Sequence, residues 1–128
     1  MLDISHNNNN NEGRFEIEIY TRENGKSPFR DFLVSLPSKL KAKVIWTITL
    51  LEEQGTNLRE PYSAPLNDGL FELRTKLGSD IVRCIYFYDM GRIVILTNGF
   101  LKKDRKTPIG EIRKAKLFRE DWIRRKTK

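Results

Sequence analysis

The chain has one cysteine, Cys84, and one histidine, His6. A single cysteine excludes an internal disulfide and a cysteine-based metal site, and it fits a reducing compartment. A lone histidine in a polar N-terminal stretch leaves neither histidine acid–base chemistry nor histidine-ligated metals a set of residues to work with. No apolar run is long enough for a membrane-spanning helix, and the N-terminus lacks the apolar core of a signal peptide. The expected compartment is therefore the cytoplasm, with no membrane partner. There is no Walker loop, no G-x-G-x-x-G and no Ser-His-Asp set. An enzyme built from this chain would act on a phosphate ester through Arg and Lys, with Glu or Tyr in support.

Basic residues are plentiful. The 128 residues carry 24 Lys/Arg against 17 Asp/Glu, a net charge of +7. The excess is local. Residues 1–100 hold 12 Lys/Arg and 13 Asp/Glu, whereas residues 101–128 hold 12 and 4. A chain charged in this way suits a polyanion: nucleic acid, a membrane surface or an acidic protein. Its length suits one domain with a real core.

The central stretch, residues 66–108, predicts three strands over 70–76, 81–88 and 93–100, rich in β-branched and aromatic residues and separated by tight turns. A turn centred on Gly78-Ser79 sets Arg74 opposite Arg83 and Glu72 opposite Ile85. A turn centred on Met90-Gly91 sets Arg83 opposite Asn98 and Ile81 opposite Phe100. Side chains alternate along a strand, so Arg74, Arg83, Asn98 and Phe100 share one face. Two facing arginines repel, and an anion between them relieves the repulsion. The run Lys102-Lys103-Asp104-Arg105-Lys106 leaves the last strand at the rim of that face. The expectation is a cationic, phosphate-sized concavity in which the two arginines stand unneutralised.

Around this meander the order reads β-α-α-β-β-β-α, an α+β domain over residues 14–128 behind a disordered tail, residues 1–13, that contains the run Asn7–Asn11. Phe15, Ile17 and Ile19 alternate with Glu16 and Glu18 as a half-buried strand. Ser27 caps a helix begun by Pro28, and Pro37 stops it. Ser38 caps a second helix with Leu40, Val44, Ile48 and Leu51 inward and Gly55 at its end. Residues 56–65 read as a loop. The helical hairpin covers the sheet face that carries Phe71, Leu73, Val82, Cys84, Tyr86 and Ile95. A last helix, capped by Thr107 and begun by Pro108, covers Ile85, Phe87, Val94 and Leu96, with Ile109, Ile112, Ala115, Phe118 and Trp122 on its inner side.

Each signal also has a plain reading. Arg74 and Arg83 can be surface arginines paired with Glu72 or Glu18. The lysine run can be a solvated loop. Phe100 can stack on a base or simply fill space. Trp46 and Trp122 read as packing residues, and Cys84 as a small buried hydrophobe.

The residues Leu73-Arg74, Arg83-Cys84-Ile85, Gly99-Phe100, Lys102-Lys103, Lys106-Thr107-Pro108 and Glu111-Ile112 resemble the phage-derived HigB-like branch of the RelE/ParE toxin superfamily. A histidine common in that family before the Gly-Phe pair is Asn98 here. The resemblance, over roughly residues 14–122, implies a RelE-like fold: an antiparallel sheet, a helical hairpin on one face and a C-terminal helix. It implies the toxin of a type II toxin–antitoxin pair, a ribosome-dependent mRNA endoribonuclease that needs no cofactor or metal. Its partners would be mRNA, the ribosome and a HigA-like helix-turn-helix antitoxin. By the same resemblance Arg74 and Arg83 would neutralise the reacting phosphate, and Lys102, Lys103 or Lys106 would move protons. Glu72 is a further candidate base, and Phe100, Asn98 and Arg105 would contact RNA. The superfamily also holds ParE-like gyrase inhibitors that cleave nothing, and a non-catalytic nucleic-acid-binding module is a third reading.

Overall fold

A computed structural model describes residues 14–102 and 106–127. The tail expected over residues 1–13, together with Lys103, Asp104 and Arg105, lies outside the described residues. The elements run β1 (Glu16–Ile19), α1 (Pro28–Ser35), α2 (Ser38–Gln54), a 3-10 turn (Gly55–Asn57), β2 (Ser63–Pro65), β3 (Leu70–Leu77), β4 (Asp80–Tyr88), β5 (Ile93–Leu101) and α3 (Ile109–Lys126). The fold is α+β and RelE-like.

The sheet order is β1-β5-β4-β3-β2. The expectation of a wholly antiparallel sheet is corrected: β1 pairs parallel with β5. The connection from β1 to β5, through the helical hairpin and then β2, β3 and β4, is far longer than the dozen or so residues a parallel pairing needs. The short strand β2, within the expected loop, pairs antiparallel with β3.

Two cores flank the sheet. On one face Phe29, Leu33, Leu40, Val44, Ile48 and Leu51 of the hairpin meet Leu73, Val82, Cys84 and Tyr86. On the other, Ala115 and Phe118 of α3 meet Tyr20, Leu70, Ile85 and Phe87. Cys84 is fully buried, and burial pushes its thiol up to about 12.

The β3–β4 register is the one expected: Arg74 faces Arg83, Glu72 faces Ile85 and Lys76 faces Ile81. The β4–β5 register differs. Tyr88 faces Val94, one residue from the expected alignment, and a bulge follows between Ile85 and Tyr86. Thr97 is the extra residue. Its hydroxyl lies 3.0 Å from the Ile85 carbonyl oxygen and 2.7 Å from Asn98 Oδ1. Before the bulge the single-residue offset inverts the faces, so Val94 and Leu96 lie under the hairpin and Ile95 under α3, the reverse of the expectation. Beyond it the total offset is two. Arg83 now faces Phe100 and Ile85 faces Asn98, and all four keep their expected face.

Two expected caps are absent. Ser27 does cap α1, accepting the Arg30 N–H at 3.2 Å. Ser38 and Thr107 do not cap: Pro37 and Pro108 occupy those positions, and neither helix has a side-chain cap. Pro108 fixes the helical approach, which frees the Thr107 hydroxyl for the partners described below. Ile109 is exposed rather than inward.

Candidate active site: a cationic cleft at the open end of the sheet

Arg74 and Arg83 meet across β3 and β4 on the face that α3 covers only at its far end. Their side chains are not unneutralised. Glu72, two residues before Arg74 and 1% exposed, serves both. Its Oε2 accepts Arg74 Nε–H at 2.6 Å, and its Oε1 accepts Arg83 Nη1–H at 3.1 Å. The Thr107 hydroxyl also donates to Oε1, and Arg83 Nη1 donates to Thr107 Oγ1 at 2.8 Å. The anion expected between the arginines is therefore supplied by the protein itself. Arg74 further reaches Glu60 Oε1 at 3.3 Å, at the surface.

The arginines differ in access. Arg83 is 4% exposed, whereas the Arg74 side chain is 29% exposed. Arg83 with Glu72 and Thr107 makes a fixed hub, and Arg74 is the guanidinium that a ligand can reach. With three donors on a buried carboxylate, Glu72 is arranged to orient its neighbours. Three of its roughly four lone-pair sites are already taken and the group is buried, so it is poorly placed to accept from an incoming hydroxyl.

The cleft beside this hub has a volume of about 560 Å³, within the roughly 300–1,000 Å³ of ligand pockets. It is lined by Lys43, Trp46, Thr47, Pro61, Tyr62, Arg74, Thr75, Lys76, Ile81, Arg83 and Lys102. Five of these are cations and none is a carboxylate, so the wall attracts anions. Lys102 is half-buried here, its backbone N–H bonded to the Ile81 carbonyl at 2.7 Å. Lys106 is exposed and is not among the cleft's lining residues.

Phe100 is half-buried on the Arg83 face and packs against the α3-side core. Asn98 is 4% exposed. Its Nδ2 donates to the Glu111 carbonyl at 3.2 Å and to Glu111 Oε1 at 3.1 Å, which fastens β5 to the first turn of α3. So placed, Asn98 is a tether and its amide is already engaged. Among the described residues no group of three or more His, Cys, Asp or Glu could hold a metal ion.

Trp46 was expected to pack and does not. It is 44% exposed on the cleft wall, with Tyr62 at 36% beside it. The helix holds the clue: Trp46 falls off the stripe of Leu40, Val44, Ile48 and Leu51. Tyr62 had no such signal, because its position depends on how the 56–65 segment folds over β3.

A family model described as Phage derived protein Gp49-like (DUF891) matches residues 31–119. The chain belongs to this family. Gp49-like proteins are phage-derived and toxin-like, related to RelE. The matched span includes Trp46, Tyr62, Glu72, Arg74, Arg83, Lys102 and Thr107, so cleft and hub are both part of the Gp49-like domain. No curated protein matches the chain.

Proposed function

We propose that this Gp49-like protein is a HigB-type toxin: a ribosome-dependent, metal-independent mRNA endoribonuclease that works in the cytoplasm and is restrained by a helix-turn-helix antitoxin. The observation that carries the reading is the cleft itself: five cations and no carboxylate line it, and although Glu72 holds Arg74 and Arg83 from behind, the lining keeps Lys43, Lys76 and Lys102 beside the accessible Arg74. In the reaction a ribose 2′-oxygen attacks its own 3′-phosphate. The new P–O2′ bond forms as the P–O5′ bond breaks, leaving a 2′,3′-cyclic phosphate and a 5′-hydroxyl. A base removes the 2′ proton, and an acid supplies one to the departing 5′-oxygen.

The roles divide by access. Arg74 grips the phosphoryl oxygens and stabilises their charge as it builds up. Arg83 adds its positive charge from behind and, through Glu72, fixes the angle of Arg74. Lys102, Lys103 and Lys106 are assigned the movement of the protons. Phe100 and Arg105 are assigned to RNA contact, and Asn98 holds β5 against α3. The ribosome orients the message, which lets a small cleft suffice.

The test is Arg74→Ala with purified protein and programmed ribosomes. Cleavage should fall at least tenfold, about 1.4 kcal/mol of transition-state stabilisation, with the circular dichroism spectrum unchanged. A variant that cleaves like the parent removes this site. Intact mRNA together with loss of gyrase supercoiling would make the protein a ParE-type inhibitor instead.

A further inference from the structure

Two large aromatic rings stand exposed on the wall of a basic cleft, and nothing in the phosphate chemistry uses them. The Trp46 and Tyr62 rings meet edge to face, 6.0 Å between centroids at 72°, and Lys43 Nζ lies 4.4 Å from the Trp46 ring centre. The other tryptophan, Trp122, is half-buried and donates to Asp89 Oδ2 at 2.9 Å.

The pair is registered to Arg74 through the backbone. The Arg74 N–H donates to the Tyr62 carbonyl at 2.7 Å. Thr47, next to Trp46, accepts the Thr75 hydroxyl at 2.9 Å, and Thr75 follows Arg74 on β3. The two rings and the accessible guanidinium are thus held by adjacent residues of one strand.

We propose that Trp46 and Tyr62 form a stacking platform for a nucleobase of single-stranded RNA whose neighbouring phosphate lies at Arg74. This rests on the reading of the cleft as an RNA site and adds the subsite that takes the base. Stacking on an aromatic face tolerates any base, because every base has a π-face. Lys43 and Lys76 meet the backbone on either side, which matches the alternation of flat apolar rings and negative charge along a single strand. An acidic protein segment would find the cations but would leave the exposed indole without a flat partner.

The probe is a short 2′-O-methyl oligoadenylate, which cannot undergo 2′-oxygen attack, alongside an abasic chain of equal length. The intact protein should bind the base-bearing chain more tightly and show quenched tryptophan emission. Trp46→Ala should weaken that binding about tenfold while leaving the abasic chain's affinity unchanged, and Trp46→Phe should restore most of the difference. Arg74→Ala should weaken both alike.

Equal loss on both chains in Trp46→Ala, or no preference for bases in the parent, would overturn the platform. So would a Trp46→Ala effect confined to binding of a protein partner. Base-dependent binding by a protein that cleaves no mRNA would keep the platform and discard the ribonuclease. Cleavage without base dependence would do the reverse.

Discussion

Glu72 is the residue on which the others depend. Its carboxylate is buried and holds two guanidinium groups and a threonine hydroxyl. Removing one member of a buried ion pair leaves an uncompensated charge and costs about 3–5 kcal/mol. Glu72→Ala should therefore lower the unfolding free energy by about that amount in urea titrations, and cleavage should fall in the fraction that stays folded. Glu72 behaving as an ordinary surface carboxylate, with a loss near zero, would refute the hub. The sequence showed which residues share this face, because Gly78-Ser79 fixes the pairing of Arg74 with Arg83. It left open whether the partner of the arginines was a ligand or a side chain. That depended on Thr107, which comes from 35 residues away and sits on the same carboxylate oxygen as Arg83.

At the level of elements, two contacts fix how the helices meet the sheet. Gly55 ends α2 with φ +50, and a Cβ there would lie 1.9 Å from the Phe15 ring. The positive φ disfavours any side chain, and the ring leaves no room for one. Gly55→Ala should destabilise the protein by about 1–3 kcal/mol, read as a lower denaturation midpoint. Gly99 similarly admits Phe32, whose ring would lie 2.7 Å from an added Cβ. At the other end of the molecule α3 is fastened by carboxylates. The Tyr20 hydroxyl donates to Asp121 at 2.6 Å, and this bond, ahead of Arg124 and Arg125, holds the Asp121 carboxyl below its usual range. Burial works to raise Asp89, but Lys126 and Trp122 outweigh it and the net shift is downward.

A carboxyl whose folded value lies below its unfolded one binds fewer protons when folded. Its contribution is present above the unfolded value, roughly pH 4, and is lost as pH falls through the depressed one. Stability should therefore decline below about pH 4, and Asp89→Asn should flatten that decline in acid-titration melts. Glu18 on the adjacent edge acts in the opposite sense, because its hydrogen bond with Glu16 raises its carboxyl.

Across the whole molecule the excess of positive charge lies in residues 101–128, and five cations line the cleft at one end of the sheet, as the proposed polyanion partner requires. Neutralising several phosphates releases counterions, so ribosome binding should weaken steeply as salt rises, by roughly 10³-fold or more between 50 and 200 mM for six or more contacts. A flat response in sedimentation assays would rule out a polyanion partner. Among the described residues no helix is long and apolar enough to cross a membrane.

Local sequence determined the strands of the meander, the hairpin stripes, the first turn and the identity of the cationic face, because each follows from neighbours a few residues apart. Tertiary structure decided the rest. Thr97 bulges because its hydroxyl finds the Ile85 carbonyl across the strands, and that one extra residue exchanged the faces of Val94, Ile95 and Leu96. Trp46 and Tyr62 came together, and Thr107 joined Glu72 and Arg83, only when segments distant in the chain packed against β3. No local pattern specifies such contacts, because their energy lies between elements.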